Sequence, residues 1–189
     1  EQKLVKQVGV PTMPTSYLIG RDGRVRFVHE GFHGDATERE LRHEIETLLA
    51  VWQEQYVDLG SRAEVNHVLV FENKGDVVGV SNPHPHCQIW ATESLPNEPA
   101  KEVSSQRAYY EKKGGCLLCD YLRLEQAREN RIIFENESFT VLVPFWAIWP
   151  FEVMILSKRH RPSIDEFPDD ERIDLADALR RVTTRYDNL

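Results

Sequence analysis

The sequence predicts an α+β protein, in which antiparallel strands form a sheet and helices pack on that sheet. Beyond residue 51, runs with the period-two alternation of strands recur along the chain. They cover residues 65–71, 77–80, 84–91, 131–134, 139–143 and 152–156. Stretches with apolar residues at three- and four-residue spacing lie before, between and after these runs, as expected for amphipathic helices. This mixture of elements favours the α+β class.

A hairpin is predicted ahead of the sheet, within residues 10–34. Two β-rich runs, 16–19 and 25–28, flank Asp22-Gly23, and Asp-Gly is a strong turn signal. The first helix should then run over 37–59, with Thr37 and Glu40 as a capping box and Gly60 as the stop. Residues 98–112 are predicted helical, 116–130 helical or mixed, and a last helix starts near Asp169. The predicted core stripe of that last helix is Leu175, Leu179, Val182 and Tyr186.

Composition and charge exclude two classes of partner. The 189 residues include 23 basic and 31 acidic side chains, giving a net charge of −8. This balance argues against non-specific nucleic-acid binding, which depends on neutralising phosphates. No apolar stretch approaches the roughly 20 residues that cross a bilayer, so no membrane contact is expected.

Three cysteines make an odd count, which does not suit a secreted disulfide framework and favours a reducing, cytoplasmic setting. The chain begins with Glu1, not Met, and reaches Leu189 directly after an unfinished helical pattern. We therefore expect both ends to be cut.

The stretch with the most chemical information is S-N-P-H-P-H-C-Q-I-W, residues 81–90. If residues 84–91 are extended, His84, His86, Gln88 and Trp90 point to one face. Cys87 points to the other. Two prolines interleaved with the histidines fix φ and remove backbone donors, which favours a stiff segment with a specific role. The alternative is an exposed edge strand with solvated histidines.

A neutral imidazole can attack phosphorus near pH 7, and the N–P bond that forms is labile enough for a second transfer. This chemistry suits a ping-pong transferase. Such a reaction also needs hydrogen-bond donors around the non-bridging phosphate oxygens. The nearby candidates are Asn73, Ser81 and Gln88.

Five segments then carry a family resemblance: FENKG, GVSNPHPHCQIW, LPNE, VPFWAIWPFE and RYDNL. From about residue 51 to 189 the chain resembles galactose-1-phosphate uridylyltransferases of the bacterial and animal type. The resemblance implies transfer of a uridylyl group from UDP-glucose to galactose-1-phosphate through a uridylyl-histidine intermediate. It also implies a homodimer in the complete family protein, with active sites that include residues of both subunits.

The same resemblance assigns roles to individual residues. It makes His86 the uridylylated nucleophile and His84 a zinc ligand. Glu102 corresponds to a ligand of a second metal, Fe or Zn. The residues that would line the nucleotide phosphates are Asn73, Ser81 and Gln88.

The family fold is a tandem pair of histidine-triad-like halves, here an incomplete repeat. Residues 51–114 would be the end of the first half and 115–189 the truncated start of the second. In such proteins a C-x-x-C pair and a histidine after the third strand meet at one zinc ion. The resemblance therefore implies that Cys116, Cys119 and His160 are zinc ligands here. A fourth ligand would lie beyond residue 189. The spacing alone also allows two reduced core cysteines or a redox dithiol.

Residues 1–50 depart from that family and resemble the C-terminal part of an exported thioredoxin-like reductase. Val10–Ile19, the Asp22-Gly23 turn and Gly31 carry the likeness, and Pro14 would be its cis-proline. The redox cysteine pair of that fold is absent, so no thioredoxin activity is expected. An ordinary hairpin plus helix is the alternative.

Two other functions remain open at this stage. One is a different histidine-triad-type nucleotide transferase or hydrolase, although hydrolases commonly place a third histidine where Gln88 stands. The other is an inactive fusion fragment, which the missing part of the first half would favour.

Overall fold

The computed structural model describes residues 15–19, 24–30, 35–74 and 86–188. Within these ranges, three antiparallel sheets and four α-helices confirm the predicted α+β class. No helix in them combines the length and apolar character that crossing a bilayer requires. The predicted strand 77–80 falls outside the described residues, as do Ser81 and His84.

The N-terminal elements are a hairpin and a long helix. β1 (Thr15–Ile19) pairs antiparallel with β2 (Val25–Glu30), and α1 follows over Asp35–Gly60. An N-cap residue needs a non-helical backbone. Thr37 lies two residues inside α1, so the predicted capping box is wrong. Pro14, the expected cis-proline, falls outside the described residues.

The middle of the chain forms a two-stranded sheet and a helix. β3 (His67–Asn73) pairs antiparallel with β4 (His86–Thr92). The predicted helix over 98–112 is α2 (Asn97–Lys113). It ends at Gly114, whose φ of 72° is the left-handed conformation that favours glycine at helix C-termini.

The C-terminal part contains a three-stranded sheet, whose strands follow one helix and precede another in the chain. The sheet has the antiparallel order β5-β6-β7, and its last strand begins two residues later than the predicted run. The elements are α3 (Leu117–Arg128), β5 (Ile132–Glu135), β6 (Phe139–Leu142), β7 (Met154–Ser157), a 3-10 turn (Ile164–Glu166) and α4 (Asp169–Asp187).

A small apolar core joins β6 to α4. Val141 of β6 and Ala178 and Val182 of α4 are buried together. The partly buried side chains packed around them are Phe134, Val153 and Ile155. This cluster fixes α4 on the sheet by removing apolar surface from water.

The buried face of α4 differs from the predicted stripe. Val182 is buried as predicted, but Leu175 and Leu179 are only half-buried and Tyr186 is 39% exposed. Ala176 is fully buried instead. α4 packs against α1 as well as against the sheet, so the helix is covered on two sides. A single-stripe pattern does not anticipate such two-sided burial.

One side chain fastens α1 to the start of α4. Gln53 Nε2 donates to the carbonyl oxygens of Ile164 and Phe167 at 2.8 and 3.0 Å. Its Oε1 accepts from Arg172 Nη1 at 3.1 Å. The Gln53 amide thus links α1 to the end of the 3-10 turn and to the start of α4 through satisfied hydrogen bonds.

Candidate active site and metal centre

The β3–β4 register places three predicted site residues on one face. Asn73 stands opposite His86, and Phe71 stands opposite Gln88. Directly opposed residues of an antiparallel pair share a face, and residues two apart along a strand do so too. Asn73, His86 and Gln88 therefore line one surface, with Asn73 and His86 half-buried and Gln88 exposed.

Cys87 lies on the other face, opposite Glu72. Partial desolvation of its thiol, with the Glu72 carboxylate adding to the effect, raises the pKa of Cys87 above its ordinary value, although Trp52 partly offsets this. A thiol that is protonated at neutral pH is a poor nucleophile. Neither its position nor its raised pKa favours Cys87 as a nucleophile for a group bound on the His86 face.

An aromatic pair extends the His86 face. Alternation along the strand predicted Trp90 on this face, whereas its partner Phe71 was not identified from the sequence. The rings of Phe71 and Trp90 meet edge to face, with centroids 5.1 Å apart. Trp90 is 56% exposed, so the pair forms an open apolar wall beside Gln88. The period-two pattern contained the signal, since Phe71 and Trp90 have the same parity as Asn73 and Gln88 on their strands.

Glu102 lies on α2 with an exposed side chain. Among the described residues, one group of three close metal-ligating side chains is found, and Glu102 does not belong to it.

That group consists of Cys116, Cys119 and His160. Cys116 precedes the first residue of α3 and Cys119 lies in its first turn, so the i, i+3 spacing brings the two thiols to the same side. Their sulfurs and a ring nitrogen of His160 all lie within 4.8 Å of one another. Cys119 Sγ is 3.4 Å from His160 Nδ1.

These distances fit a tetrahedral zinc site. Zn–S bonds of about 2.3 Å and Zn–N bonds of about 2.0 Å place neighbouring S and N ligands roughly 3.5 Å apart in a tetrahedron. The Cys119–His160 separation of 3.4 Å is close to that edge. Both cysteines are half-buried, whereas core cysteines would be fully buried, which argues against the alternative of two reduced core cysteines.

A hydrogen bond links α2 to the first turn of α3 beside the thiols. Asp120 accepts from the Tyr109 hydroxyl at 2.8 Å and also pairs with Arg123. Burial raises the pKa of the Cys119 thiol, and its neighbour Cys116 raises it further. A bound cation has to displace the proton from such a thiol, because the thiolate is the metal ligand.

Comparisons with known proteins decide the family. A model described as "Galactose-1-phosphate uridyl transferase, N-terminal domain" matches residues 38–96, and the corresponding C-terminal domain matches residues 102–189. The chain belongs to the galactose-1-phosphate uridylyltransferase family. The two matches include the His86 strand and the Cys116–His160 group, respectively. The first begins inside α1, earlier in the chain than the resemblance at residue 51.

Individual relatives support the same assignment. A galactose-1-phosphate uridylyltransferase of Haemophilus influenzae is 50% identical over 146 residues, covering 77% of this chain and 41% of the relative. One of Hypocrea jecorina is 50% identical over 123 residues, covering 65% and 32%. A solved uridylyltransferase structure has a TM-score of 0.68 at 36% identity, covering 74% of this chain and 43% of that one. The chain thus spans less than half the length of these family members.

Proposed function

We propose that this member of the uridylyltransferase family transfers a uridylyl group from UDP-glucose to galactose-1-phosphate. One observation carries the proposal: the register that sets Asn73 opposite His86, in a strand pair within the family match. A His nucleophile beside an amide donor, with Gln88 on the same face, is the arrangement that phosphoryl-type transfer requires.

The reaction has two balanced displacements. A ring nitrogen of His86 attacks the phosphorus attached to uridine, a P–N bond forms, and the bond to glucose-1-phosphate breaks. A phosphate oxygen of galactose-1-phosphate then attacks the same phosphorus, and the P–N bond breaks. UDP-galactose leaves and the imidazole returns to its starting state.

The amides stabilise the charge that develops on the non-bridging oxygens. Asn73 and Gln88 each offer an N–H₂ donor from the face that carries His86, and Ser81 would add a hydroxyl. Preorganised donors of this kind lower the barrier because they need no reorientation when the charge develops.

A metal ion bound away from the His86 face would have a structural role. The donor set of Cys116, Cys119 and His160, two thiolates and an imidazole, suits Zn²⁺, and its spacing fits tetrahedral ligation. Bound there, Zn²⁺ would cross-link the start of α3 to the segment after β7. Two other residues are also proposed as metal ligands. His84 would bind a zinc ion of its own site, and Glu102 would bind a second metal, Fe or Zn.

The remaining assignments rest on the two sequence resemblances and on the composition. We propose residues 51–114 as the end of one histidine-triad-like half, 115–189 as the start of the other, and 1–50 as a thioredoxin-like segment. The complete protein would be a homodimer. The odd count of three cysteines supports a reducing, cytoplasmic location.

A label-transfer assay tests the proposal. It uses this chain and a chimera in which its family-matching segment replaces the corresponding part of the Haemophilus influenzae relative. With uridine-labelled UDP-glucose, we expect release of glucose-1-phosphate, retention of label on the protein, and discharge of that label by galactose-1-phosphate. Release of free nucleotide without retained label would indicate a hydrolase. Failure of the chimera to take up label would contradict the proposed function.

A further inference from the structure

His160 lies on a segment that the sheet does not fix. After β7, the N–H of Lys158 donates to the carbonyl oxygen of Ser138 at 2.8 Å. Residues 159–162 make no further turn or ladder backbone hydrogen bond with the rest of the described chain. An imidazole on such a segment keeps a metal-binding position only where neighbouring side chains hold the backbone, since ordering a free segment costs conformational entropy.

The two arginines that flank His160 provide that restraint by meeting at one buried carboxylate. Arg161 donates from Nε and Nη2 to Glu171 at 2.9 and 2.8 Å, a bidentate pair. Arg159 Nη1 adds a third contact at 3.3 Å. Glu171 is fully buried, whereas the Arg161 side chain is 25% exposed and that of Arg159 is 65% exposed.

Glu171 is a firm anchor for this purpose. It is the third residue of α4, where the helix dipole favours a carboxylate. α4 is in turn held on both sides, by the Val182 cluster on the sheet and by Gln53 of α1. A carboxylate buried this deeply requires its cationic partners, because a buried charge without one is costly.

The geometry separates the arginines from the histidine between them. Residues 158 and 159 form a bend after β7, and the contacts of the three side chains show the direction in which each one points. Arg159 and Arg161 both reach Glu171, while His160 Nδ1 lies 3.4 Å from Cys119 Sγ. Fixing the arginines therefore also fixes the direction of the imidazole.

We propose that Glu171 is a positioning residue for the metal site, which sets His160 in place through Arg159 and Arg161. The role rests on the zinc site proposed above. By ordering the histidine before the metal arrives, Glu171 would raise zinc affinity without touching the ion.

Zinc affinity provides the test, measured by competition with a chromophoric chelator. The variants are Glu171→Gln, Arg161→Gln and the double substitution. Asp177→Asn is the matched control: Asp177 is a buried carboxylate of the same helix that pairs with Arg180 and Arg181, away from the 158–161 segment. Co²⁺ spectra report whether an imidazole remains among the ligands, and far-UV circular dichroism confirms that each variant is folded.

We expect each single substitution at Glu171 or Arg161 to weaken zinc binding about tenfold or more and to alter the Co²⁺ spectrum. The double variant should be no weaker than the single ones, because both remove the same link. Asp177→Asn should bind zinc as the unaltered chain does. If Glu171→Gln does not fold, Arg161→Gln decides the question.

Unchanged zinc affinity in the Glu171 and Arg161 variants, or equal weakening by Asp177→Asn, would overturn the positioning role while leaving the metal site intact. An unaltered chain that binds no zinc would instead overturn the metal site and this role together. Neither outcome affects the uridylyl-transfer assay, so the two proposals fail separately.

Discussion

Asn73 stands directly opposite His86 across the β3–β4 pair, at the last register position of that sheet. Opposed residues of an antiparallel pair have Cβ atoms about 4.5–5.5 Å apart. The amide and the imidazole can therefore act on the same group, while Cys87 and Glu72, one residue away on each strand, face the other side.

This arrangement predicts unequal effects for two neighbouring residues of β3. In the chimera, Asn73→Ala should lower the rate of uridylyl transfer about 100-fold, the cost of losing one preorganised donor. Glu72→Ala should leave the rate nearly unchanged, because its side chain is on the opposite face. Similar losses in steady-state rate for both variants would show that the effect of a substitution does not depend on which face of the sheet the side chain occupies.

Zinc should bind at Cys116, Cys119 and His160 and should stabilise the chain. Added at 100 times its dissociation constant, zinc raises the free energy of unfolding by about 2.7 kcal/mol if it binds the folded state alone. Cys119→Ser should abolish this gain in thermal unfolding, and Cys87→Ser should retain it. A chelator that leaves the unfolding temperature of the purified, zinc-loaded chain unchanged would count against the site.

The buried Glu125 predicts a pH effect on stability. Its carboxylate accepts from Arg131 at 2.6 to 3.1 Å, and this hydrogen-bonded partner lowers the pKa of Glu125 below its ordinary value. A lowered folded-state pKa gives stability that is present above the unfolded pKa of about 4.3 and lost as the pH falls through the folded value.

Glu125→Gln should therefore destabilise the chain by about 1–3 kcal/mol at pH 7 and should flatten the loss of stability below about pH 4. Urea unfolding at several pH values provides the measurement, with exposed Glu137→Gln as the control. If Glu125→Gln loses stability below pH 4 as steeply as the unaltered chain does, the buried pair does not contribute to the pH dependence of stability.

Gln53 predicts a stability effect that links distant parts of the chain. Gln53→Ala leaves the carbonyl oxygens of Ile164 and Phe167 without their donor and should cost about 1–3 kcal/mol in urea unfolding. Glu54→Ala, at the adjacent exposed position of α1, should change stability little. Equal losses from the two substitutions would show that the junction does not account for the effect, since alanine itself favours a helix.

Local patterns predicted the elements that carry the candidate site. Period-two alternation identified β4, and its parity correctly put His86 and Gln88 on one face with Cys87 on the other. Family motifs, more than spacing, brought His160 into the prediction with Cys116 and Cys119, because a histidine 41 residues from Cys119 leaves no trace in local pattern. Spacing alone does not reveal contacts between distant segments.

The features that were missed depend on tertiary packing. In the sequence, Glu171 is one of three consecutive acidic residues at the start of a helix. Only the fold shows that two arginines from the preceding segment bind its carboxylate. The predicted stripe of α4 placed Tyr186 in the core because periodicity assumes one buried side. Likewise, the capping box at Thr37 was a plausible local signal, whereas the observed helix begins at Asp35.

The most direct measurement is covalent labelling of the chimera with uridine-labelled UDP-glucose, comparing His86→Asn with Cys87→Ala. The imidazole and the thiol are adjacent in the chain but lie on opposite faces of β4. We predict acid-labile label on the unaltered chimera and on Cys87→Ala, and none on His86→Asn. Label retained by His86→Asn, or lost equally from both variants, would contradict a uridylyl-histidine at this position.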